Sequence, residues 1–436
     1  MDIHDIERLN ATEYKKYHES LMQNNHGTSA VHVFFCIFFS VQCSIYSSLK
    51  LQNVGRNQYL YEYLIIVLPL ILAHTVVANY IYLLNMLIFT MLLYELSFHI
   101  NKLTILRPNY KSNRIVSISI IRGLTYLITV LSILAVDFQS FPRNLAKTER
   151  FGISLMDTGV GLFVLMSGLV HKDLRTHKLT NILKGNLKFI TVLLVLGIAR
   201  FVTVKQLDYH EHVTEYGVHW NFFFTLAVCK LLSTSLLYFV SNTVLSSFLV
   251  LIVHEGLLYY GVQDWVFSDT PRDNILSANR EGVSSCLGYV SMYLFAANLK
   301  KMMMEDTAPI AIKIISILLW TLLICIDYLR PTSRTLANAA YCITMESGLV
   351  TVLAILYFIE TLLHNDKIKF TLPKIVENVN SNGLSYFLIA NLMTGAINLS
   401  MRTLLVSSFN TFVILNIYMA VTLIFIAFLK QKGIRI

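Results

Sequence analysis

The chain has 436 residues, of which 55% are hydrophobic and 14% charged, with a mean hydropathy of +0.59 and a formal charge of +9. Soluble domains carry about 25% charged residues, so a water-soluble globular protein is excluded and the bilayer must be the solvent for most of the chain. The excess Lys and Arg lie in short loops between apolar runs, where they set orientation and touch anionic headgroups. No nucleic-acid-binding motif is visible.

Residues 1–30 read as a polar N-terminal tail with no cleavable-signal pattern. Asn10-Ala11-Thr12 is a glycosylation sequon. A first apolar run opens near Val31 and has the character of an uncleaved signal-anchor. A membrane helix needs about 20 mostly apolar residues. Thirteen segments approach that: 31–49, 61–77, 80–97, 117–136, 153–170, 187–204, 220–240, 244–262, 281–299, 310–329, 338–363, 382–401 and 407–429. The second and third are nearly continuous and imply a tight hairpin. The fifth is short and carries Gly159, Gly161 and Gly168, which permit close helix packing or an irregular turn. The expected fold is an all-α polytopic membrane protein, with residues 31–436 forming one multi-span domain and no internal repeat.

With thirteen spans the termini lie on opposite sides. The N-terminal side collects 12 Lys and Arg over its segments and the C-terminal side 20. Basic residues favour the cytoplasm, so the N-terminus is expected to be luminal and the C-terminus cytoplasmic. On that map the loops 137–152, 207–220, 268–282 and 330–338 share the luminal face. The stretch "HKDLRTHKLTNILKGN" lies on the other face and is mainly basic. The six cysteines all sit within apolar runs and read as packing residues. No metal-ligand spacing is present.

Asp137 ends the fourth span, and Lys147 follows ten residues on, across a loop held by Pro142. A return of that length can bring the ammonium beside the carboxylate. A partly desolvated carboxylate can act as a general base toward a hydroxyl. The ammonium can stabilise an oxyanion or hold a phosphate, and Arg143 suits phosphate through its planar fork. The same spacing also fits an interfacial ion pair without chemistry. Asp157 opens the fifth span, where a carboxylate favours a helix N-terminus. Glu215 and His219 lie just before the seventh span and Asn221 just inside it, with His219 open to an acid/base or a plain interfacial role. His254 lies deep in "LVLIVHEGLLYYGV". Such a His resembles the one that membrane-bound O-acyltransferases pair with an upstream Asn, here Asn221, although a buried His is more often simply hydrogen-bonded. Asp327, Glu346 and Glu360 lie in later spans, as a proton-coupled transporter of a lipid or small solute would require.

Four blocks carry a further resemblance. "VDFQSFPRNLAKTERFGISLMDTGVG", "ANREGVSSCLGYVSMYL", "RPTSRTLANAAY" and "NLMTGAINLSMRT" resemble the polytopic inositol acyltransferases of glycosylphosphatidylinositol (GPI) biosynthesis. This is the PIG-W type, known in fungi as the GPI-anchored wall transfer family. The resemblance implies a multi-pass endoplasmic-reticulum membrane enzyme. It would move a long acyl chain, typically palmitoyl from acyl-CoA, to the inositol 2-hydroxyl of glucosaminyl-phosphatidylinositol. Acyl-CoA is then a co-substrate, and no cofactor is tightly bound. The family's polar residues would fall on Asp137, Arg143, Lys147 and Asp157, on Asn279, Arg280 and Glu281, on Arg334 and Asn338, and on Asn391 and Asn398. Under that reading Asp137 is the base and Lys147 the charge stabiliser. The other residues, with His219 and Asn221, bind substrate, and Arg143 and Arg280 are suited to lipid or CoA phosphates. Direct transfer needs no cysteine intermediate. Since acyl-CoA is cytosolic, the thioester must enter through the membrane plane, or the acceptor must reach partway in.

Overall fold

A computed structural model of the chain describes residues 8–21, 23–51, 55, 57–98, 116–171, 179–206, 213–240, 242–305, 308–362 and 370–434. Every regular element among them is helical. In chain order the principal helices are α1 (Ala11–Ser20), α2 (Ala30–Lys50), α3 (Gln58–Ala73), α4 (Ile81–Ser97), α5 (Val116–Ala135), α6 (Thr158–Leu169), α7 (Leu179–Gln206) and α8 (Phe222–Phe239). They continue with α9 (Thr243–Val266), α10 (Arg280–Met303), α11 (Ala308–Leu329), α12 (Ala339–Leu362), α13 (Lys374–Ser381), α14 (Gly383–Ser400) and α15 (Ser408–Gln431).

Among the described residues, nine helices are long and apolar enough to cross a membrane: α2, α4, α5, α7, α8, α9, α11, α12 and α15. Length and hydropathy thus qualify nine spans rather than thirteen. The other four expected spans also fall on helices, and each departs for a local reason. In α3 the chain passes through a π turn at Tyr63–Val67. The helix α6 begins only at Thr158, because residues 153–157 are a loop tied to neighbouring loops. The helix α10 starts on Arg280 and Glu281 and ends on Lys300 and Lys301, and α14 carries Asn391 and Asn398. The expected hairpin is present, with a short 3-10 turn at Ala78–Tyr80 leading into α4.

The bundle has an inner and an outer layer. In α5, 78% of the apolar window is buried, and in α12, 67%. The figures for α7, α9 and α11 are 17%, 22% and 22%, so most of each window lies on the outside of the bundle. Inner helices approach closely where side chains are small. A Cβ on Gly168 of α6 would stand 2.5 Å from the Tyr293 carbonyl oxygen of α10, and one on Gly161 would stand 2.7 Å from Met345 Cγ of α12. Gly159 makes no such approach. Cys36, Cys43, Cys229, Cys286 and Cys342 are buried free thiols, and Cys325 is exposed on α11.

The polar loops meet at one end of this bundle. Gly152 N donates to Thr332 O at 2.7 Å, and Val218 N to Ala278 O at 2.9 Å. Phe151 packs edge-on against Phe267. Residues 207–212 of the His-containing loop and 172–178 of the basic stretch lie outside the described residues.

Candidate active site

The loop between α5 and α6 is folded by its own side chains. Phe138 and Phe141 are fully buried, each contributing on the order of 2 kcal/mol. The Arg143 guanidinium turns back and donates to Val136 O at 2.8 Å and Phe138 O at 3.3 Å. It thereby satisfies carbonyls at the C-terminal end of α5, where a cation is also favoured by the helix dipole. Part of its donor capacity is therefore spent on backbone.

Asp137 emerges just past α5 and is 8% exposed. Its Oδ2 accepts from Asn398 Nδ2 of α14 at 2.7 Å. Burial pushes its carboxyl up to about 6, against the lowering effects of Asn398, Arg143 and Lys147. A base with that value is ionised at neutral pH and still basic enough to take a proton.

Lys147 is in electrostatic reach of Asp137, but it does not form the pair that its spacing suggested. Its Nζ lies 2.7 Å from Glu215 Oε1. Glu215 also lies 3.8 Å from Arg334 Nη1. Burial alone would raise the Glu215 carboxyl, but Lys147 and Arg334 together bring it down to about 2. The Arg334 Nε donates to Asp157 Oδ1 at 2.9 Å, and the guanidinium lies over the Tyr216 ring at 5.8 Å. Two cations and two carboxylates thus alternate through Lys147, Glu215, Arg334 and Asp157.

Asp157 makes no cap for α6 through its side chain, contrary to the simplest reading of its position. It is fully buried and accepts from Thr148 Oγ1 at 2.9 Å and Ser154 Oγ at 2.8 Å, besides Arg334. Burial still raises its carboxyl above the usual range, despite Arg334 and these hydroxyls. Its place in the fold is to clamp the loop before α6 to the loop before α12.

The remaining candidates divide between organising loops and meeting the site. Asn279 Oδ1 accepts from His219 N at 2.8 Å, and its Nδ2 donates to Ile275 O. The His219 ring packs edge-on against Phe201. Arg280 donates to Thr270 Oγ1 at 2.7 Å and to Ser268 O, and Glu281 takes both arms of Arg272. These hydrogen bonds fold the 268–282 loop and its junction with α8. Asn338 Oδ1 accepts from Ser333 N and Tyr341 N, which shapes the turn into α12. Asn391 Nδ2 donates to Phe387 O one turn back on its own helix. Of the later asparagines, Asn398 is the one bonded to Asp137.

The structure does not join Asn221 to His254 by a hydrogen bond. Asn221 caps α8 by accepting from Phe223 N and donates to Gly197 O at 2.9 Å. His254 Nε2 lies 2.9 Å from Leu336 O. Two of the three acids a transporter would use also accept from backbone amides. Glu360 accepts from Ser117 N at the start of α5, and Asp327 accepts from Thr332 N.

Sequence reasoning gave no role to α1 or to Asn25. Asn25 Nδ2 donates to the carbonyls of Arg143, Ala146 and Lys147 at 2.8–3.1 Å, and Thr28 N donates to Ile153 O at 2.7 Å. One available signal was Asn25-His26-Gly27, a turn-forming stretch directly before the first apolar run.

A narrow apolar groove lies between α2, α5, α6, α11 and α12. Ala30 and Thr158 line one end, beside the polar loops, and Val41, Ile121 and Val352 line the other. From Ala30 to Val41 the helical rise is about 16 Å. The groove's lining is predominantly apolar.

The sequence model of the GWT1 family matches residues 14–429. The chain belongs to the GWT1 family. Among relatives of this GWT1-family chain is "GPI-anchored wall transfer protein 1" of Schizosaccharomyces pombe. It is 36% identical over 353 residues, covering 76% of each chain. The Saccharomyces cerevisiae protein of the same name is 32% identical over 446 residues, covering 89% of this chain and 91% of its own. Mouse "Glucosaminyl-phosphatidylinositol-acyltransferase PIGW" is 27% identical over 500 residues, covering 96% and 98%. The family match begins at residue 14, within α1.

Proposed function

We propose that this chain is a membrane O-acyltransferase of GPI-anchor biosynthesis. It moves a long acyl chain, palmitoyl as the typical case, from acyl-CoA to the inositol 2-hydroxyl of glucosaminyl-phosphatidylinositol. The acceptor is taken from the name of the mouse relative, and the donor from the chemistry of an activated fatty chain. The observation that carries the reading is the buried Asp137 carboxylate, held by Asn398 at the end of a bundle that also holds a long apolar groove.

In this mechanism Asp137 takes the proton of the inositol hydroxyl as its oxygen attacks the thioester carbonyl. Lys147 stabilises the charge that gathers on the carbonyl oxygen, a term worth about 10²- to 10³-fold in rate. Glu215 holds that ammonium in place. The C–S bond breaks, and CoA leaves as the thiolate, which water protonates. The groove fixes the acyl chain and so supplies proximity. The polar end of the bundle faces the lumen of the endoplasmic reticulum, following the bias of Lys and Arg toward the opposite side.

The test is direct. Purified protein is incubated with palmitoyl-CoA and a glucosaminyl-phosphatidylinositol analogue, and the lipid is analysed by mass spectrometry. The expected product gains one palmitoyl group on inositol. Failure to form it with folded protein would sink the proposal.

A further inference from the structure

The N-terminal helix α1 lies against the candidate base. Asn10 and Glu13 close its first turn in a capping box. The Tyr14 hydroxyl oxygen accepts from Leu404 N at 3.1 Å, and the Arg402 guanidinium stands 5.3 Å over the Tyr14 ring. Four residues on, and so on the same face of the helix, His18 stacks nearly parallel to Tyr14 with ring centroids 6.3 Å apart. His18 is 7% exposed. Its Nε2 lies 3.8 Å from Asp137 Oδ1, while Asn398 holds Oδ2. The chain then continues into Asn25, which grips three carbonyls of the Arg143–Lys147 stretch. One segment therefore buries an imidazole beside the carboxylate and fastens the loop that carries Lys147.

The geometry points to His18 as a positioning residue for Asp137 that also receives its proton, which makes α1 part of the reaction chamber. The inference rests on Asp137 being the base. The hydroxyl proton moves to Asp137 as the O–C bond forms and the C–S bond breaks. It then passes to the His18 imidazole and on to water, which restores the carboxylate. Water protonates the departing thiolate, so hydroxyl plus thioester becomes ester plus thiol with no net change in protons. The groups around this pair are Tyr14 on α1, Arg143 and Lys147 on the loop after α5, Asn398 on α14 and Tyr418 on α15, with Tyr17 near Arg143 and Arg402 over the Tyr14 ring. The two neighbours on the loop are cations, and they favour passing the proton outward rather than holding it at the carboxylate.

The experiment uses the full chain in detergent or nanodiscs, with acyl transfer from palmitoyl-CoA followed as a function of pH. In His18→Gln, kcat is expected to fall about tenfold or more with KM little changed. The pH profile of the rate is expected to differ from the wild type, because the carboxylate loses the imidazole beside it. In His18→Ala, added imidazole is expected to restore part of the rate, which a purely structural role would not allow. Wild-type kcat and pH profile in His18→Gln, with Asp137→Asn inactive, would overturn the inference and leave the enzyme reading standing. Loss of rate in a His18→Ala protein of wild-type thermal stability, without recovery in imidazole, would overturn it equally. Full activity in Asp137→Asn would instead remove the premise about Asp137 itself.

Discussion

Lys147 Nζ lies 2.7 Å from Glu215 Oε1. This contact joins the loop after α5 to the turn before α8, across 68 residues of sequence. It gives the proposed oxyanion stabiliser a fixed counter-charge. An ammonium on a flexible stem needs such a partner to hold one position.

Glu215→Gln is expected to lower acyl transfer by about tenfold, because Lys147 loses its anchor. It also leaves Arg334 short of one anion, at a stability cost of about 2 kcal/mol. Steady-state rates and thermal unfolding in detergent read both effects. The carboxyl sits at about 2 in the folded protein against an ordinary 4.5. A lowered value stabilises the fold above the unfolded-state pKa, and that contribution is lost as pH falls from about 4.5 to 2. The Gln variant is expected to lack this acid-side loss.

Asp137 behaves in the opposite sense. Its carboxyl lies at about 6 when folded against an ordinary 3.8. The folded state therefore binds the proton more tightly, and stability falls as pH rises from about 3.8 to 6. Asp137→Asn removes the buried charge. It is expected to abolish acyl transfer while adding on the order of 2 kcal/mol of stability at neutral pH. The wild-type rate is expected to rise through an acid limb near pH 6, read from an initial-rate profile. A destabilised Asn variant would contradict the assignment of a strained base.

Arg334 and Asp157 form an ion pair with both side chains inside the protein. Removing one partner strands the other. Arg334→Met is expected to cost about 3–5 kcal/mol, measured as a fall in the unfolding midpoint. Arg334→Lys is expected to recover only part of this, since a point charge cannot serve Asp157, Glu215 and the Tyr216 ring together. The double variant Arg334→Met, Asp157→Asn is expected to be less damaged than the sum of the single changes.

The groove offers a test of chain length. Gly348 lines it, and a Cβ there would meet nothing nearer than Phe34 Cδ2 at 4.0 Å. Gly348→Leu adds bulk on the groove side, against the Phe34 ring rather than against backbone. It is expected to raise KM for palmitoyl-CoA about tenfold and to shift preference toward shorter acyl chains. Competition between donors of different length checks this. An unchanged preference would remove the groove from the acyl path.

The helical membrane architecture was legible because bilayer solvation imposes a local rule: about 20 apolar residues must run together, and the chain shows that pattern wherever it holds. The four polar blocks were legible as chemistry for the related reason that charge is costly there and stands out. Pairing was not legible. Spacing suggested Lys147 beside Asp137, whereas Glu215 and Asn398 supply the partners. Nor did spacing separate Asn398, which meets Asp137, from Asn391, which bonds its own helix.

Sequence by itself therefore determined that this is a membrane-embedded helical bundle with polar loops set between its spans. Family kinship added the expectation of acyl transfer to a glycolipid. Only the tertiary structure decided which loop charges are partners, brought α1 with His18 beside Asp137, and left an apolar groove between α2, α5, α6, α11 and α12. The physical reason is range. Hydropathy acts along the chain and is written in neighbouring residues, whereas an ion pair or a cavity depends on where distant segments come to rest.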